Sequence, residues 1–138
     1  MWTFEWTADY EKRSKAYRKK WRHELDAVLN NLQKFHVALN EGAHPLQTDF
    51  TFVRNERKGL LAIDESQNPG ILRATRLYIY PELETKILHV ITIGDKSNRQ
   101  SDDIQKCHDF IAVRKAINDD NKNSEDGDGP CAPDFREG

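Results

Sequence analysis

Basic side chains crowd one short segment of the chain, where they could bind phosphate groups. Six of them fall within nine positions: Lys12, Arg13, Lys15, Arg18, Lys19 and Lys20. A helix with this many cations attracts a polyanion such as RNA, because binding releases the counterions that surround the phosphates. The alternative is a helix face whose charges contact only water. Lys19 and Lys20 are the RNA-binding candidates in this segment.

Two long strands joined by a short turn are predicted over Ile71–Lys96, and the other elements are arranged around this hairpin. Its first half is rich in strand formers, and Ile87–Ile93 is almost wholly aliphatic or β-branched. Pro81 is expected to end the first strand because it has no N–H to give to a neighbour. Side chains alternate between the two faces of a strand, so those two positions apart share a face. In the first strand Arg76, Tyr78 and Tyr80 share one face. In the second strand Ile87, His89, Ile91 and Ile93 share one face.

The remaining segments predict an α+β domain over residues 1–117. Alternating aromatic residues at 2–6 indicate a first strand, and apolar residues spaced three and four apart over 21–39 indicate a helical arm. That arm is either one long helix or two helices joined near Lys20. The predicted fold is a small, mainly antiparallel sheet of about four strands, with the N-terminal helical arm packed on it and a short C-terminal helix. Residues 118–138 form an acidic tail that we expect to be flexible.

Composition excludes several classes of protein. The chain of 138 residues fits one domain, and it contains no apolar run of membrane-spanning length and no secretory signal pattern. Cys107 and Cys131 have neither metal nor redox spacing, so a reduced, cytoplasmic compartment is the expectation. The histidines show no metal-ligand spacing and the chain has no cofactor motif, so neither a metal nor a cofactor is predicted.

Three stretches along and after the hairpin resemble the RelE/ParE superfamily, the toxins of type II toxin–antitoxin pairs. They are RATRLY at 73–78, LHVITIGDK at 88–96 and SDDIQKC at 101–107. The resemblance implies a RelE-like, metal-independent and ribosome-dependent mRNA endonuclease that inhibits translation. It also implies a cognate antitoxin as partner and mRNA and the ribosome as targets. A homodimer is compatible with the resemblance, and no association with a membrane is expected. The alternative is a ParE-like gyrase inhibitor, or a catalytically inactive binding protein on the same fold.

The resemblance also selects site residues, and each has a structural alternative. RNA cleavage needs cations around the phosphate and groups that transfer protons. The catalytic candidates are Arg73, Arg76 and Lys96 for the phosphate, with Lys58 and His89 for proton transfer. Arg99 and Tyr78 join Lys19 and Lys20 as RNA-binding candidates. The structural alternative for Arg76 is a strand arginine that pairs with a carboxylate. The structural alternative for His89 is a hydrogen-bonded core histidine.

Overall fold

The computed structural model describes residues 1–71, 73–95 and 100–127, and these form an α+β fold as predicted. Lys96 and Arg99 lie outside the described residues. The described elements, in chain order, are β1 (Thr3–Trp6), α1 (Ala8–Lys20), α2 (Arg22–Asn40), β2 (Val53–Asn55), β3 (Leu61–Ile63), β4 (Thr75–Glu82), β5 (Ile87–Asp95) and α3 (Gln100–Gly127). No helix in these ranges is both long and apolar enough to cross a membrane.

The strands form one mainly antiparallel sheet in the order β1-β5-β4-β3-β2. β1 runs parallel to β5, and the other pairs are antiparallel. The sheet has one strand more than the predicted four, because the short β2 forms a hairpin with β3. The turn between them has positive φ at Arg57, Lys58 and Gly59. Only the glycine is a sequence signal for such a turn, so the sequence indicates this hairpin weakly.

β4 and β5 form the predicted hairpin, but the expectation that Pro81 ends the first strand is wrong. β4 continues through Pro81 to Glu82. Pairing of β3 with β4 reaches only as far as Ile79. Pro81 therefore lies beyond the end of β3, at an edge position of the kind where a strand tolerates proline.

A β-bulge in β5 overturns the predicted alternation at the end of that strand. Tyr78 pairs with Thr92, but the next residue of β4 pairs with Val90, so Ile91 is left as an extra residue in the register. A bulge of this kind shifts the following residues to the opposite faces of the sheet. Ile93 consequently packs in the same core as Val90, and not on the face that carries Ile91.

The helical arm consists of two helices that break at Trp21, which has the non-helical angles φ −135° and ψ 53°. This settles the choice that the sequence left open. Gly42, just after α2, has φ +103°, as expected for a residue that ends a helix. Both helices cover one face of the sheet. The buried core on that face includes Leu25, Val28, Leu32, Phe35, Leu61, Ile63, Leu77, Ile79, Leu88 and Val90.

The third helix, α3, covers the opposite face of the sheet and is much longer than the short helix predicted. It has 28 residues and continues past position 117 to Gly127. Asn118, which the sequence assigned to the tail, lies in this helix and donates a hydrogen bond to Glu82 at 3.2 Å. The remainder of the predicted tail, residues 128–138, lies outside the described residues. The core under α3 contains Leu60, Ala62, Tyr78, Tyr80, Ile91, Cys107 and Ile111.

Helices on both faces leave the central hairpin accessible mainly at its two ends. β4 is buried along its whole length, from Thr75 to Glu82. One end of the hairpin, where Thr75 pairs with Asp95, is open. The other end is the turn that joins the two strands. A residue of the hairpin can meet a ligand most readily at one of these ends.

Candidate functional site

Arg73 is held at the open end of the hairpin by two carboxylates. Its guanidinium donates from Nε to Asp95 Oδ2 at 2.7 Å, and Nη2 forms an ion pair with the same oxygen. The Arg73 backbone N–H donates to Glu24 Oε2 at 3.1 Å. The side chain of Arg73 nevertheless remains 43% exposed, so its guanidinium is accessible to a ligand from solvent.

The Arg73 guanidinium lies over the indole of Trp21. Its central carbon is 4.8 Å from the ring centroid, a distance at which a cation and an aromatic face attract each other. Trp21 comes directly after Lys19 and Lys20, which are both exposed at the end of α1. The predicted residue Arg73 therefore packs on the residue that directly follows the predicted residues Lys19 and Lys20, at the break between α1 and α2. We call Lys19, Lys20, Trp21 and Arg73 the basic corner.

A second arginine, Arg13, ties α1 to β5 and α3. Its Nη1 donates to the backbone carbonyl of Ile93 at 3.2 Å and to Asp103 Oδ1 at 2.9 Å. Gly94 lies between these partners, and a Cβ added there would be only 2.5 Å from Asp103 Oδ2. This contact fixes the start of α3 against β5, close to the open end of the hairpin.

Arg76, the second predicted strand arginine, does not share the exposed position of Arg73. It is only 5% exposed. Its Nη1 donates to the backbone carbonyl of Thr75 at 3.2 Å and lies 3.8 Å from Glu65 Oε1. Its Nε has no hydrogen-bond partner among the described residues. The expected pair of phosphate-binding arginines is thus divided between the surface and the interior.

Tyr78 is a core residue in this structure. It has no exposed surface, and it packs in the cluster that contains Cys107 and Ile111 of α3. Burial raises the pKa of Tyr78 to about 12. The ring is covered by α3, so the predicted role of Tyr78 in stacking on RNA is not available in this conformation.

The turn end of the hairpin holds a fully buried carboxylate, Glu82. Arg114 of α3 donates to it twice, from Nε to Oε2 at 2.8 Å and from Nη2 to Oε1 at 2.9 Å. Thr85 and Asn118 also donate to Glu82. Burial by itself raises the pKa of Glu82, but the hydrogen bonds, that from Arg114 foremost, outweigh it and bring the pKa down to about 2. This cluster joins α3 to the hairpin turn.

His89 belongs to the same cluster and is 5% exposed. Its Nε2 lies 3.3 Å from Glu82 Oε1, while its ring stacks on Tyr80 and meets Phe110 edge-on. Burial lowers the pKa of His89, and the neighbouring Glu82 opposes this only in part. The imidazole is therefore neutral at pH 7 and shielded from solvent.

Lys58 is exposed, but it lies far from the basic corner. It occupies the turn between β2 and β3 and lines a cavity of 370 Å³ together with Tyr80 and Lys115. Arg73 precedes the start of β4, whereas this cavity opens beside its end. At roughly 3.3 Å per strand residue, the two sites are separated by about 20 Å. Among the described residues, the structure therefore separates Lys58 from Arg73 and places it beside Tyr80, on which His89 stacks.

Sequence reasoning missed two residues that shape the basic corner. Trp21 was assigned to the apolar stripe of the helical arm, because its spacing fits the core residues that follow. Its position directly after a basic run was the available signal. Asp95 lies next to the candidate Lys96 in the sequence, but its pairing with Arg73 depends on a contact between residues 22 positions apart.

The chain was compared with protein-family models and with curated proteins. No protein-family model matches the chain, and no curated protein matches it significantly. Within the described ranges, no group of three or more histidine, cysteine, aspartate or glutamate side chains is arranged to hold a metal ion.

Proposed function

We propose that the protein is a RelE-like toxin that acts on mRNA at the ribosome and inhibits translation. The observation that carries this proposal is the basic corner, where an exposed arginine from the hairpin region lies over an aromatic ring that directly follows two exposed lysines of the helical arm. Cations and aromatic rings together are typical of surfaces that hold single-stranded RNA. The element order on which the resemblance rests, a strand, a helical arm, a meander and a helix, supports the same proposal.

Within this proposal the candidate residues take different roles. Arg73 contacts the phosphate, because its guanidinium is exposed and suits the geometry of phosphate oxygens. Lys19 and Lys20 add attraction for the RNA backbone. Tyr78 and His89 pack against α3 as core residues, and Arg76 is a buried residue of the sheet. Lys96 remains a proposed catalytic contact to the phosphate, and Arg99 remains a proposed RNA contact.

The proposed partners follow from the same assignment. A cognate antitoxin would bind the toxin and mask its RNA-binding surface, while mRNA on the ribosome is the proposed target. The cleavage that we propose is independent of a metal, and the proposed compartment is the cytoplasm.

Mapping of mRNA ends in a bacterial cell-free translation reaction tests the proposal. Purified wild-type protein should produce new 5′ ends at codon-spaced positions, detected by primer extension. Arg73→Ala should reduce their yield by about tenfold or more, since one charge-assisted contact to the phosphate is worth about 1.5–3 kcal/mol. Lys34→Ala is the matched control, because Lys34 is an exposed lysine on α2 about 20 Å from Trp21 along the helix. Normal translation with no new ends would contradict the proposal.

The second candidate function is a non-catalytic binding protein, such as a ParE-like gyrase inhibitor. The burial of Arg76, Tyr78 and His89 favours it, because three predicted site residues are then part of the core. This candidate predicts inhibition of DNA supercoiling by purified gyrase without any new RNA ends. Inhibited translation with codon-spaced ends and unaffected gyrase would exclude it.

A further inference from the structure

We infer that the basic corner binds one nucleotide of single-stranded RNA, with the base stacked on Trp21 and the phosphate on Arg73. This inference rests on the proposed function and deepens it, since it specifies the form of RNA and the contacts. Asp95 is a third part of the site: its carboxylate occupies the place beside Arg73 that the phosphate takes when RNA binds.

Trp21 is suited to receive a base because of its place at the helix break. The non-helical backbone at this residue interrupts the apolar stripe, and the indole is left only partly buried. Trp2, by contrast, is buried in the core, and Trp6 is exposed but in contact with Phe4 and Tyr10. The indole of Trp21 is the tryptophan ring over which the structure places a guanidinium. A base can stack on the same kind of surface, since stacking uses the face of the ring.

Arg73 is suited to exchange partners. It directs both Nε and Nη2 to a single carboxylate oxygen of Asp95, and about two fifths of its side chain is in solvent. A phosphodiester offers two oxygens to the planar guanidinium, which can then donate to both. When Arg73 turns to the phosphate, the face of Trp21 that it covers becomes available to the base.

The geometry favours a single strand over a duplex. In duplex RNA each base is already stacked on its neighbours, and proteins contact mainly the phosphates and sugars. Stacking on Trp21 needs an unpaired, accessible base. Lys19 and Lys20 would attract either form, so a difference in affinity between the two forms measures the contribution of the ring.

Binding of a fluorescein-labelled oligouridylate of 12 nucleotides by the purified protein, followed by fluorescence anisotropy at fixed salt, tests the inference. Trp21→Ala should weaken binding by about tenfold or more, because stacking of one base is worth about 1–3 kcal/mol. Trp21→Phe should stay within about threefold of wild type because it keeps an aromatic face. Arg73→Ala should weaken binding, whereas Asp95→Asn should strengthen it about two- to fivefold by removing the competing charge.

Two controls make the outcome decisive. Lys34→Ala removes an exposed cation away from the corner and should change affinity by less than twofold, and a 12-base-pair RNA duplex should bind more weakly than the single strand. Equal affinities of wild type and Trp21→Ala, with Trp21→Ala folded by circular dichroism, would overturn the inference. Equal affinities of wild type and Asp95→Asn would show that the Asp95 carboxylate does not compete with the RNA phosphate for Arg73.

The same proteins separate this inference from the proposed function. If wild type and Trp21→Ala cleave mRNA equally well in the translation reaction and bind oligouridylate equally well, the toxin function stands and the nucleotide site is wrong. If binding depends on Trp21 and Arg73 but wild type leaves translation unchanged, the site stands and the toxin function is wrong.

Discussion

Glu82 and Asp95 each hold an arginine, but the two ion pairs differ in burial. Glu82 has no exposure and its partner Arg114 is 24% exposed, whereas Asp95 and Arg73 are 19% and 43% exposed. Removing one partner from a buried pair leaves an uncompensated charge and is costly, while an exposed pair contributes little to stability. The Arg114 pair is therefore a structural contact, and the Arg73 pair is one that a ligand can replace.

The depressed pKa of Glu82 predicts a pH-dependent contribution to stability. Glu82→Gln should reduce the free energy of unfolding at pH 7 by about 3 kcal/mol, because a carboxyl whose pKa falls from 4.5 unfolded to about 2 folded stabilises the folded state when ionised. This stability is fully present above pH 4.5 and is lost as the pH falls towards 2. Urea denaturation of both proteins between pH 7 and pH 3 should show the difference between their free energies of unfolding becoming smaller as the pH falls.

The control for this experiment is Glu84→Gln, an exposed carboxylate on the same turn. It should change the free energy of unfolding by less than about 0.5 kcal/mol at each pH, as most surface substitutions do. A difference in the free energy of unfolding between wild type and Glu82→Gln that stays constant with pH would show that ionisation of Glu82 is not its cause.

The contact between β5 and α3 depends on a position without a side chain. Gly94 has an ordinary backbone conformation, so a glycine is needed here only because a larger side chain would not fit. Asp103 approaches Gly94 closely and is held there by Arg13. The strand and the helix can therefore come together without a gap, and the ion pair joins α1 to the same place. The open end of the hairpin owes its shape to these three elements.

Gly94→Ala should destabilise the protein by about 1–3 kcal/mol, the usual range for an extra methyl group in a tightly packed place. The reason is the 2.5 Å approach of the new Cβ to Asp103 Oδ2. The same substitution should cost less in an Asp103→Ala background, since the two residues interact directly. Urea denaturation of the four proteins of this cycle measures the difference. An equal cost in both backgrounds would show that Asp103 is not the obstacle.

Local patterns predict the elements of this fold better than its site. The strand formers of the hairpin and the spacing of Leu25, Val28 and Leu32 predict β4, β5 and α2, because burial imposes those periods on the sequence. The bulge at Ile91 leaves no such mark, since each residue around it is an ordinary strand former. The burial of Arg76 and the contact of Arg73 with Trp21 depend on how distant segments pack, which local periods do not encode.

Across the molecule, burial is greatest in the central strands and falls towards the edges of the sheet. β4 and most of β5 are covered on both faces, whereas β2 is a three-residue edge strand with two exposed side chains. Regions with few buried contacts open locally at a small cost in free energy, while central strands open only when the whole domain unfolds. Stability should therefore be distributed unevenly over the sheet.

Amide hydrogen exchange should follow this distribution. The amides of β4 and β5, such as those of Ile79 and Val90, should exchange at the rate set by global unfolding, and those of β2 should exchange orders of magnitude faster. Mass spectrometry of peptides after timed exposure to deuterated water measures both. Protection of β2 equal to that of β5 would show that the sheet opens as a single unit.

The parallel pairing of β1 with β5 also determines the order in which the chain can be completed during synthesis. Thr7 and Ile91, which meet beside this pairing, are 84 residues apart. At roughly 5–20 residues per second, β1 waits on the order of ten seconds for its partner to be translated. During that interval Trp2, Phe4 and Trp6 have no sheet to lie against, and these rings are the kind of apolar surface through which nascent chains aggregate. Closure of the sheet by β1 is thus a late step, which marks that the chain has been translated through β5.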